Sequence, residues 1–501
     1  MRSPRSIAQE IVARLQHAGH AAFWVGGCVR DCLLGRAPQD FDIATDARSE
    51  QVEALFPQTI PVGRKFGVVI VVAAGQQFQV ATFRAEADYQ DGRRPATVEF
   101  AHAEADAVRR DFTVNGLFYD PLTETLHDWV GGEPDLRARL IRTIGRPEAR
   151  FGEDHLRLLR AVRFAAQLGF AIEPGTFAAV QALAPKIKLI SAERVRDELV
   201  KLFAPPSGGA PALTPALSPG ERGTVKDVVA NRVLPDSAQC GIDHLPLPGE
   251  RVGVRVDQLI FYSSAARGLV LLRDSGLLEH ILPELAATVA CAQSPEHHPE
   301  GSVFNHLCLM LEKMPAGASE TLPWAVLLHD IAKPVTAEKD LATGKIHFYG
   351  HEKIGADMAE KILQRLKFSN QQIEEIVVCV RNHMQFKDVK QMRKATLRRL
   401  LLRETFPLEL ELHRLDYLGS FGDLEHFNFL VEQAEELKHQ PQIRPPLLTG
   451  DDLMALGVKP GKALGALLAE IRELQLADEL KTPDEARAWV QSGKRKAESG
   501  N

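Results

Sequence analysis

Eight prolines fall between Pro205 and Pro248, set among many glycines and serines in PPSGGAPALTPALSPGERG and its continuation. Proline has no N–H to donate, and its ring cannot be accommodated in a helix interior. The stretch also carries too few apolar residues to build a core. Residues 204–263 therefore read as a flexible insertion, and the chain must fold on either side of it. The absence of a well-formed PxxP cluster argues against a proline-rich recognition motif. At roughly 150 residues per domain, 501 residues correspond to about three domains.

Composition narrows the class. The chain is 45% hydrophobic and 25% charged, ordinary values for a globular protein. Its longest strongly apolar run, near Val68–Ala74, is far short of the roughly 20 residues that cross a bilayer. The N-terminus, MRSPRSIAQEIVARLQHAG, has no apolar core of a secretory signal. Six scattered cysteines without a CxxC form neither a disulfide framework nor a zinc ribbon, so a reducing cytoplasm and no membrane partner are expected. A net charge of −6 excludes a globally basic nucleic-acid coat but leaves room for local basic faces.

The first 145 residues mix periods. Ile7, Ile11, Val12 and Leu15 recur at helical spacing, Phe23–Val25 and Phe41–Ala44 read as strands, and GVVIVVAAGQQFQVATFR reads as a hairpin turning at Ala74-Gly75-Gln76. Beyond Leu140 the strand signal fades. The expected fold class is α+β: a head at 1–145, helical neck regions at 146–203 and 264–290, a histidine-rich helical domain at 295–440, and a helical tail at 441–501. The GVKPGKALG segment (Gly457–Gly465) places glycine and lysine around a turn between helices, suited either to RNA phosphates or to a plain connection.

In the head, Gly26-Gly27, Arg30 and the pair Asp40, Asp42 occur in order. Alternate residues of an extended segment share a face, so the two aspartates sit side by side. Adjacent ionised carboxylates repel unless a cation neutralises them, and Mg²⁺ prefers hard oxygen ligands. Two glycines opening a helix let backbone N–H groups approach an anion, and Arg30 adds a charged donor. The combination resembles the head of the DNA polymerase β-like nucleotidyltransferases, which implies a small mixed sheet and two-metal nucleotidyl transfer with Asp40 and Asp42 as catalytic metal ligands.

A second cluster is RRDFTVNG (Arg109–Gly116), followed by FGEDHLR and LLRAVRF (Phe151–Phe164). Asp154 and Arg157 are three apart, hence expected on one helix face. Cytosine and adenine each present an amine donor beside a ring-nitrogen acceptor, which a carboxylate and a guanidinium can satisfy together; guanine and uracil present the opposite polarity. With these motifs the chain resembles the class II tRNA nucleotidyltransferases, the family of CCA-adding enzymes and bacterial poly(A) polymerases, over roughly 20–203 and 264–490. The resemblance implies triphosphate binding by Gly26, Gly27 and Arg30, ribose and phosphate contacts by Arg110, Asp111 and Asn115, base reading by Asp154 and Arg157, and a pocket completed by Arg160 and Arg163. It likens Asp91–Pro95 to a flexible loop, Asp128–Gly132 to a hinge, and Glu193-Arg194 to a neck motif behind the base-reading helix. Gln79 departs from the pattern, standing where many relatives carry a carboxylate; an amide brings no charge to a metal, so weaker metal affinity is expected.

Two basic sets suggest contacts with RNA phosphates. One runs Arg137, Arg139, Arg142, Arg146, Arg150, Arg157, Arg160 and Arg163; the other Lys387, Lys390, Arg393, Lys394, Arg398, Arg399 and Arg403, expected on a later helix. Between them, His306, His329-Asp330, His351, His383 and Asp416 follow apolar helical segments and resemble the HD phosphohydrolases. That likeness implies a divalent transition metal or Mg²⁺ activating water for phosphoester hydrolysis, 2′,3′-cyclic phosphates at tRNA ends among the substrates.

The expected function is template-independent addition of CCA to tRNA from CTP and ATP, with no obligate protein partner evident. An A-adding enzyme or poly(A) polymerase shares the same motifs. An HD phosphohydrolase with a vestigial head is a further alternative, against which intact Asp40, Asp42, Asp154 and Arg157 argue.

Overall fold

The computed structural model describes residues 2–63, 67–89, 95–206, 254–256, 259–294, 296, 298–420, 424–440 and 445–498. The chain divides into two compact units, Met1–Ala286 and Ala287–Asn501.

The first unit opens with α1 (Pro4–His17), whose Ile7, Ile11, Val12 and Leu15 are buried and whose first turn is capped by the Ser3 hydroxyl accepting from the Ser6 N–H. β1 (Ala22–Val25), α2 (Gly27–Leu33), β2 (Ile43–Thr45), α3 (Ser49–Leu55), β3 (Thr59–Gly63), β4 (Val68–Ala73) and β5 (Gln76–Thr82) follow. The β4–β5 hairpin turns at Ala74 and Gly75, both at positive φ (50° and 75°), the conformation a tight hairpin with right-handed strand twist requires. β6 (Arg84–Tyr89) and β7 (Pro95–Phe100) form a separate ribbon; of the Asp91–Pro95 loop only Pro95 lies within the described residues. After α4 (Ala103–Val108), β8 (Phe118–Asp120) and β9 (Thr125–His127) complete a seven-stranded mixed sheet in the order β3-β4-β5-β2-β1-β8-β9, with β2 and β5 parallel.

The expected strand at Phe41–Ala44 is shifted: β2 begins at Ile43. The Val25 N–H still bonds the Asp42 carbonyl at 3.0 Å, so the path from Asp42 continues the β1–β2 ladder while Asp40 stands in the approach to it.

The neck comprises α5 (Gly132–Ala138), α6 (Pro147–Glu153), α7 (Leu156–Leu168), α8 (Pro174–Leu183) and α9 (Ala192–Phe203), joined after the insertion by α10 (Ser264–Asp274), α11 (Leu277–Ile281) and α12 (Pro283–Ala286). It is not wholly helical. β10 (Leu140–Ile141) pairs with β11 (Ala171–Ile172), and β12 (Val254–Val256) with β13 (Leu259–Phe261), the latter inside the segment expected to be flexible throughout. Most of that segment lies outside the described residues. α10 packs on both α7 and α9, Gly268 lying against Leu202.

The second unit holds α13 (Val303–Glu312), α14 (Leu322–Leu328), α15 (Lys333–Thr336), the pair β14 (Glu338–Lys339) and β15 (Ile346–His347), α16 (His351–Arg365), α17 (Asn370–Asn382), α18 (Lys394–Leu401), α19 (Phe406–Gly419), α20 (Glu425–Lys438), α21 (Gly450–Ala455), α22 (Lys462–Leu476) and α23 (Pro483–Glu498). Gly457–Gly461 connects α21 to α22. The second basic set is spread over a 3₁₀ segment, His383–Gln391, and α18 rather than one helix. Five of its members pair within the unit: Lys390 with Glu425, Lys394 and Arg398 with Asp478, Arg399 with Glu473, and Arg403 with Glu409. Cations so engaged hold helices together and are less available to RNA.

A Cβ at Gly268 would lie 2.4 Å from Leu202 Cδ1. Gly268→Ala is therefore expected to lower the stability of the first unit by about 1–3 kcal/mol in a denaturant titration, as overpacking does; an unchanged midpoint would mean that α10 does not dock on α9.

Candidate active sites

The twelve head residues singled out from the sequence, Gly26, Gly27, Arg30, Asp40, Asp42, Arg110, Asp111, Asn115, Asp154, Arg157, Arg160 and Arg163, all line one cavity of about 810 Å³, together with Gln79 and Arg194. Gly26 has φ +70°, and a Cβ there would lie 2.8 Å from Arg110 Nη1, so the residue must be glycine for both backbone and neighbour. Arg30 is buried and tied down: Nη1 donates to Asn115 Oδ1 at 2.7 Å and Nε to Asp31 Oδ1 at 2.8 Å. Asn115 Nδ2 in turn donates to Asp111 Oδ1 at 3.1 Å. Arg110 leans over the Phe118 ring and pairs with Asp106 at 3.1 Å.

Asp40 is exposed and Asp42 half-buried. Burial and the like charge of Asp40 push the Asp42 carboxyl up, with Arg110 opposing them. Such a pair is suited to a hard cation. Gln79, exposed on β5, offers the same cavity an uncharged amide.

The expected helix-face pair is not built that way. Asp154 lies in the break between α6 and α7 with extended backbone (φ −149°, ψ 107°), and only Arg157 is in the first turn of α7. Its side-chain partner is Arg194 of α9: Oδ2 accepts from Nη2 at 2.7 Å, while Oδ1 accepts the Leu156 N–H at 3.0 Å. Arg157 donates to the carbonyls of Arg150 and Arg109 and pairs with Glu153. Both groups are thus oriented independently of each other.

Behind them, Arg160 pairs with Asp111 (2.7 Å) and Glu198 (3.5 Å), and Arg163 with Glu198 (2.5 Å). The guanidinium groups of Arg30, Arg160 and Arg163 all lie within 5.5 Å of the Phe164 ring. Burial pushes Asp111 up, but Arg160 and Asn115 outweigh it and bring it to about 2. In the hinge-like segment, Asp128 accepts the N–H groups of Val130, Gly132 and Glu133, and a Cβ on Gly132 would meet the Thr113 carbonyl at 2.2 Å. That contact holds the Thr113–Asn115 turn beneath the cavity.

In the second unit His329 caps the C-terminus of α14, His351 opens α16 and His383 ends α17; His306 lies in the first turn of α13 and Asp416 near the end of α19. Nδ1 of His329, His351 and His383 faces the carbonyls of Val326, Phe348 and Val380 at 2.7–2.9 Å. Those partners require Nδ1–H on each ring, which turns each Nε2 toward Asp330. The Nε2 atoms of His351 and His383 are 3.1 Å apart, and Asp330 Oδ1 is 3.4 and 3.8 Å from them. Nε2 of His329 is buried and lies 3.2 Å from Asp330 Oδ2. Acceptors converging in this way fit a divalent cation, and three such groupings of His, Asp and Glu occur among the described residues.

Burial and neighbouring His329 hold His383 down at about 3, and burial lowers His351, so both rings are neutral at pH 7. Burial alone would depress His306 too, but Asp416 (3.0 Å) and Glu300 (2.9 Å) raise it to about 9. Asp330 stays ionised despite its burial, held by His329 and Lys333. A second cavity, about 690 Å³, opens onto Asp330, His351, His383 and Asp416.

Residues 22–142 match the poly A polymerase head domain, residues 169–210 and 246–288 the probable RNA and SrmB-binding site of polymerase A, and residues 302–419 the HD domain. The CCA-adding enzyme of Geobacillus stearothermophilus is 47% identical over 207 residues, 41% of this chain and 51% of that protein. That of Bacillus licheniformis is 42% identical over 236 residues, 46% of this chain and 59% of that protein. The chain spans about half the length of the curated relatives it matches. The crystal structure of the Bacillus stearothermophilus CCA-adding enzyme in complex with CTP is similar over 100% of both chains, with a TM-score of 0.65 at 25% identity. The chain thus carries a poly A polymerase head domain, an RNA-binding region and an HD domain, and its fold is similar to that of a CCA-adding enzyme.

Within this chain, sequence reasoning missed Asp106, Glu153 and Glu198, each an acid that pairs with an arginine of the cavity, and Phe164 beside Arg30, Arg160 and Arg163. It also missed His298 and Glu300 beside His306, and Lys333, whose Nζ is 2.7 Å from Asp330 Oδ2. The Asp-x-x-Lys spacing of Asp330 and Lys333 on one helical turn was the available signal for Lys333.

Because the folded-state carboxyl of Asp111 titrates near 2, below the ordinary unfolded value of about 3.9, its ionised form stabilises the fold above about pH 4. That contribution disappears as pH falls through 2. Asp111→Asn is expected to be less stable than wild type at pH 7 and to converge with it toward pH 2, as followed by thermal melts across pH.

Proposed function

We propose that this chain adds CCA to tRNA 3′ ends, taking CTP and ATP in turn at one head cavity, and that it works in the cytoplasm. The observation that carries the reading is the convergence of Asp40 and Asp42 with Asp154, Arg157 and Arg194 on one cavity. That arrangement lets one site hold a triphosphate and test a base. The relatives named CCA-adding enzymes support it.

Arg30 and Arg110, pinned by Asn115 and Asp106, present fixed positive charge to the triphosphate, and Gly26 keeps the backbone accessible beside them. Asp154, steered by Arg194, accepts from the exocyclic amine of cytosine or adenine. Arg157, steered by two backbone carbonyls, donates to the adjacent ring nitrogen. Asp40 and Asp42 would hold Mg²⁺, which when bound activates the attacking 3′-hydroxyl and stabilises departing pyrophosphate. No helix among the described residues is long and apolar enough to cross a membrane.

The test uses purified protein, Mg²⁺ and a tRNA transcript ending at the discriminator base, with labelled CTP and sequencing of the extended ends. Two C residues are expected, followed by A when ATP is added; no incorporation of C together with extension of a CC-ended or generic RNA by ATP would replace this reading with an A-adding enzyme. Asp42→Asn should lower incorporation of both nucleotides at least about a hundredfold. Asp154→Ala should reduce discrimination of CTP against UTP by roughly 10–100-fold, the worth of one bidentate base contact.

We further propose that the HD unit hydrolyses phosphoesters. His329, His351, His383, Asp330, His306 and Asp416 would hold the divalent ion, which supplies activated water when bound. Uptake at His306 displaces a proton from a group titrating near 9. Apparent affinity for Mn²⁺ is therefore expected to weaken as pH falls below 9, with proton release visible by calorimetry in two buffers. His329→Ala should abolish Mn²⁺ binding and hydrolysis while leaving CTP incorporation intact. Retained binding and hydrolysis would overturn the assignment.

A further inference from the structure

The segment that delivers His351 to the HD centre carries two aromatic rings that the centre itself does not use. β15 ends at His347, and Phe348, Tyr349 and Gly350 lead directly into α16. Phe348 contributes to the centre from behind: its carbonyl accepts from His351 Nδ1 and its ring lies 5.4 Å from the Lys333 ammonium. His347 and Tyr349 lie flat against each other, centroids 5.3 Å apart and planes within 12°. Tyr349 is 71% exposed, although an exposed tyrosine ring gains nothing from burial. Both rings line the cavity that opens onto Asp330, His351 and His383, and so do the ammonium groups of Lys333 and Lys387.

A planar, solvent-facing stack at the rim of a cavity whose inner end gathers metal-type ligands and ammonium groups has the two features a nucleotide phosphoester needs. The base requires an aromatic face, and the phosphate requires positive charge. We infer that His347 and Tyr349 form a nucleobase platform for this centre, on which the base of a nucleotide phosphoester stacks while its phosphate lies toward Asp330, His351 and His383. The inference rests on the reading of this centre as a phosphohydrolase. In the reaction, the ester P–O bond breaks, the oxygen of water bonds to phosphorus, and the ribose oxygen leaves as a hydroxyl carrying a proton from that water. Because every base has a π-face, the platform selects nucleotides over simple alkyl phosphates without choosing a base.

The experiment compares wild type, Tyr349→Ala and Tyr349→Phe with Mn²⁺ on adenosine 3′-monophosphate, a short oligoribonucleotide ending in a 3′-phosphate, and glycerol 2-phosphate, which has no base. Tyr349→Ala is expected to raise KM for the nucleotide substrates about tenfold with kcat unchanged, to leave glycerol 2-phosphate hydrolysis as in wild type, and to be rescued in Tyr349→Phe. Which of the two nucleotide substrates has the higher kcat/KM tells a free nucleotide from an RNA end. Equal effects on all three substrates, or none, would overturn the platform. If wild type hydrolyses none of them, the phosphohydrolase reading fails on its own, and calorimetry with adenosine 3′-monophosphate and metal-free protein decides the platform. Tighter binding to wild type than to Tyr349→Ala supports it; equal binding overturns it.

Discussion

Two buried carboxylates, Asp111 and Glu198, hold the guanidinium groups of Arg160 and Arg163, and the geometry of the head cavity depends on that arrangement. Asp111 belongs to the segment before β8, Arg160 and Arg163 to α7, and Glu198 to α9. One run of charge therefore ties the sheet that carries the paired aspartates to the helix that carries Arg157 and to the helix that carries Arg194. Ion pairs as buried as Arg163–Glu198 add little net stability, since desolvation consumes most of the attraction. They are strict about geometry, because any displacement leaves a charge without its partner. The pairs thus act as a register between head and neck, and Phe164 beneath three guanidinium groups occupies the remaining space between them.

That register explains which parts of the site could be read from sequence. Gly26-Gly27, Arg30 and the two aspartates are close in the chain, and their chemistry follows from spacing alone. The β4–β5 hairpin was legible because alternating apolar residues flank an Ala-Gly turn. Glu198 was not legible: it is an ordinary acid on α9, and only the fold brings it to Arg163, 35 residues away in the chain; Asp106, three and four residues before Arg109 and Arg110, was within reach of the spacing rule. The ion pairs of the second basic set were not legible for a similar reason. Lys394 and Arg398 find Asp478, about 80 residues later, so a row of positive charge in sequence becomes a set of internal ties.

In the HD unit the reverse holds for most of the cluster. A histidine next to an aspartate at the end of an apolar helix has few structural uses, and the carbonyls of Val326, Phe348 and Val380, each three residues before its histidine, fix the ring orientation locally. The same i−3 contact recurs at three sites, so each ring is aimed by its own helix terminus before any tertiary contact forms. His306 is the exception. It lies within a helix and takes its orientation from Glu300 and Asp416, which raise its pKa, whereas burial lowers that of His351 and His383.

The displacement of Asp154 from the helix has a consequence for base choice. On a helix face, a carboxylate and a guanidinium three residues apart would satisfy each other, and a base would have to break that pair to be read. Extended backbone at Asp154 separates them. Its carboxylate is oriented by Arg194 and a backbone N–H, whereas Arg157 is oriented by two backbone carbonyls and Glu153. Each group keeps unused hydrogen-bonding capacity toward the cavity. Since Arg194 sits on α9 and Arg157 on α7, the spacing between the acceptor and the donor offered to a base is set by the packing of those two helices. The Arg163–Glu198 pair joins the same two helices, so the buried charges and the groups proposed to read the base share one mechanical coordinate.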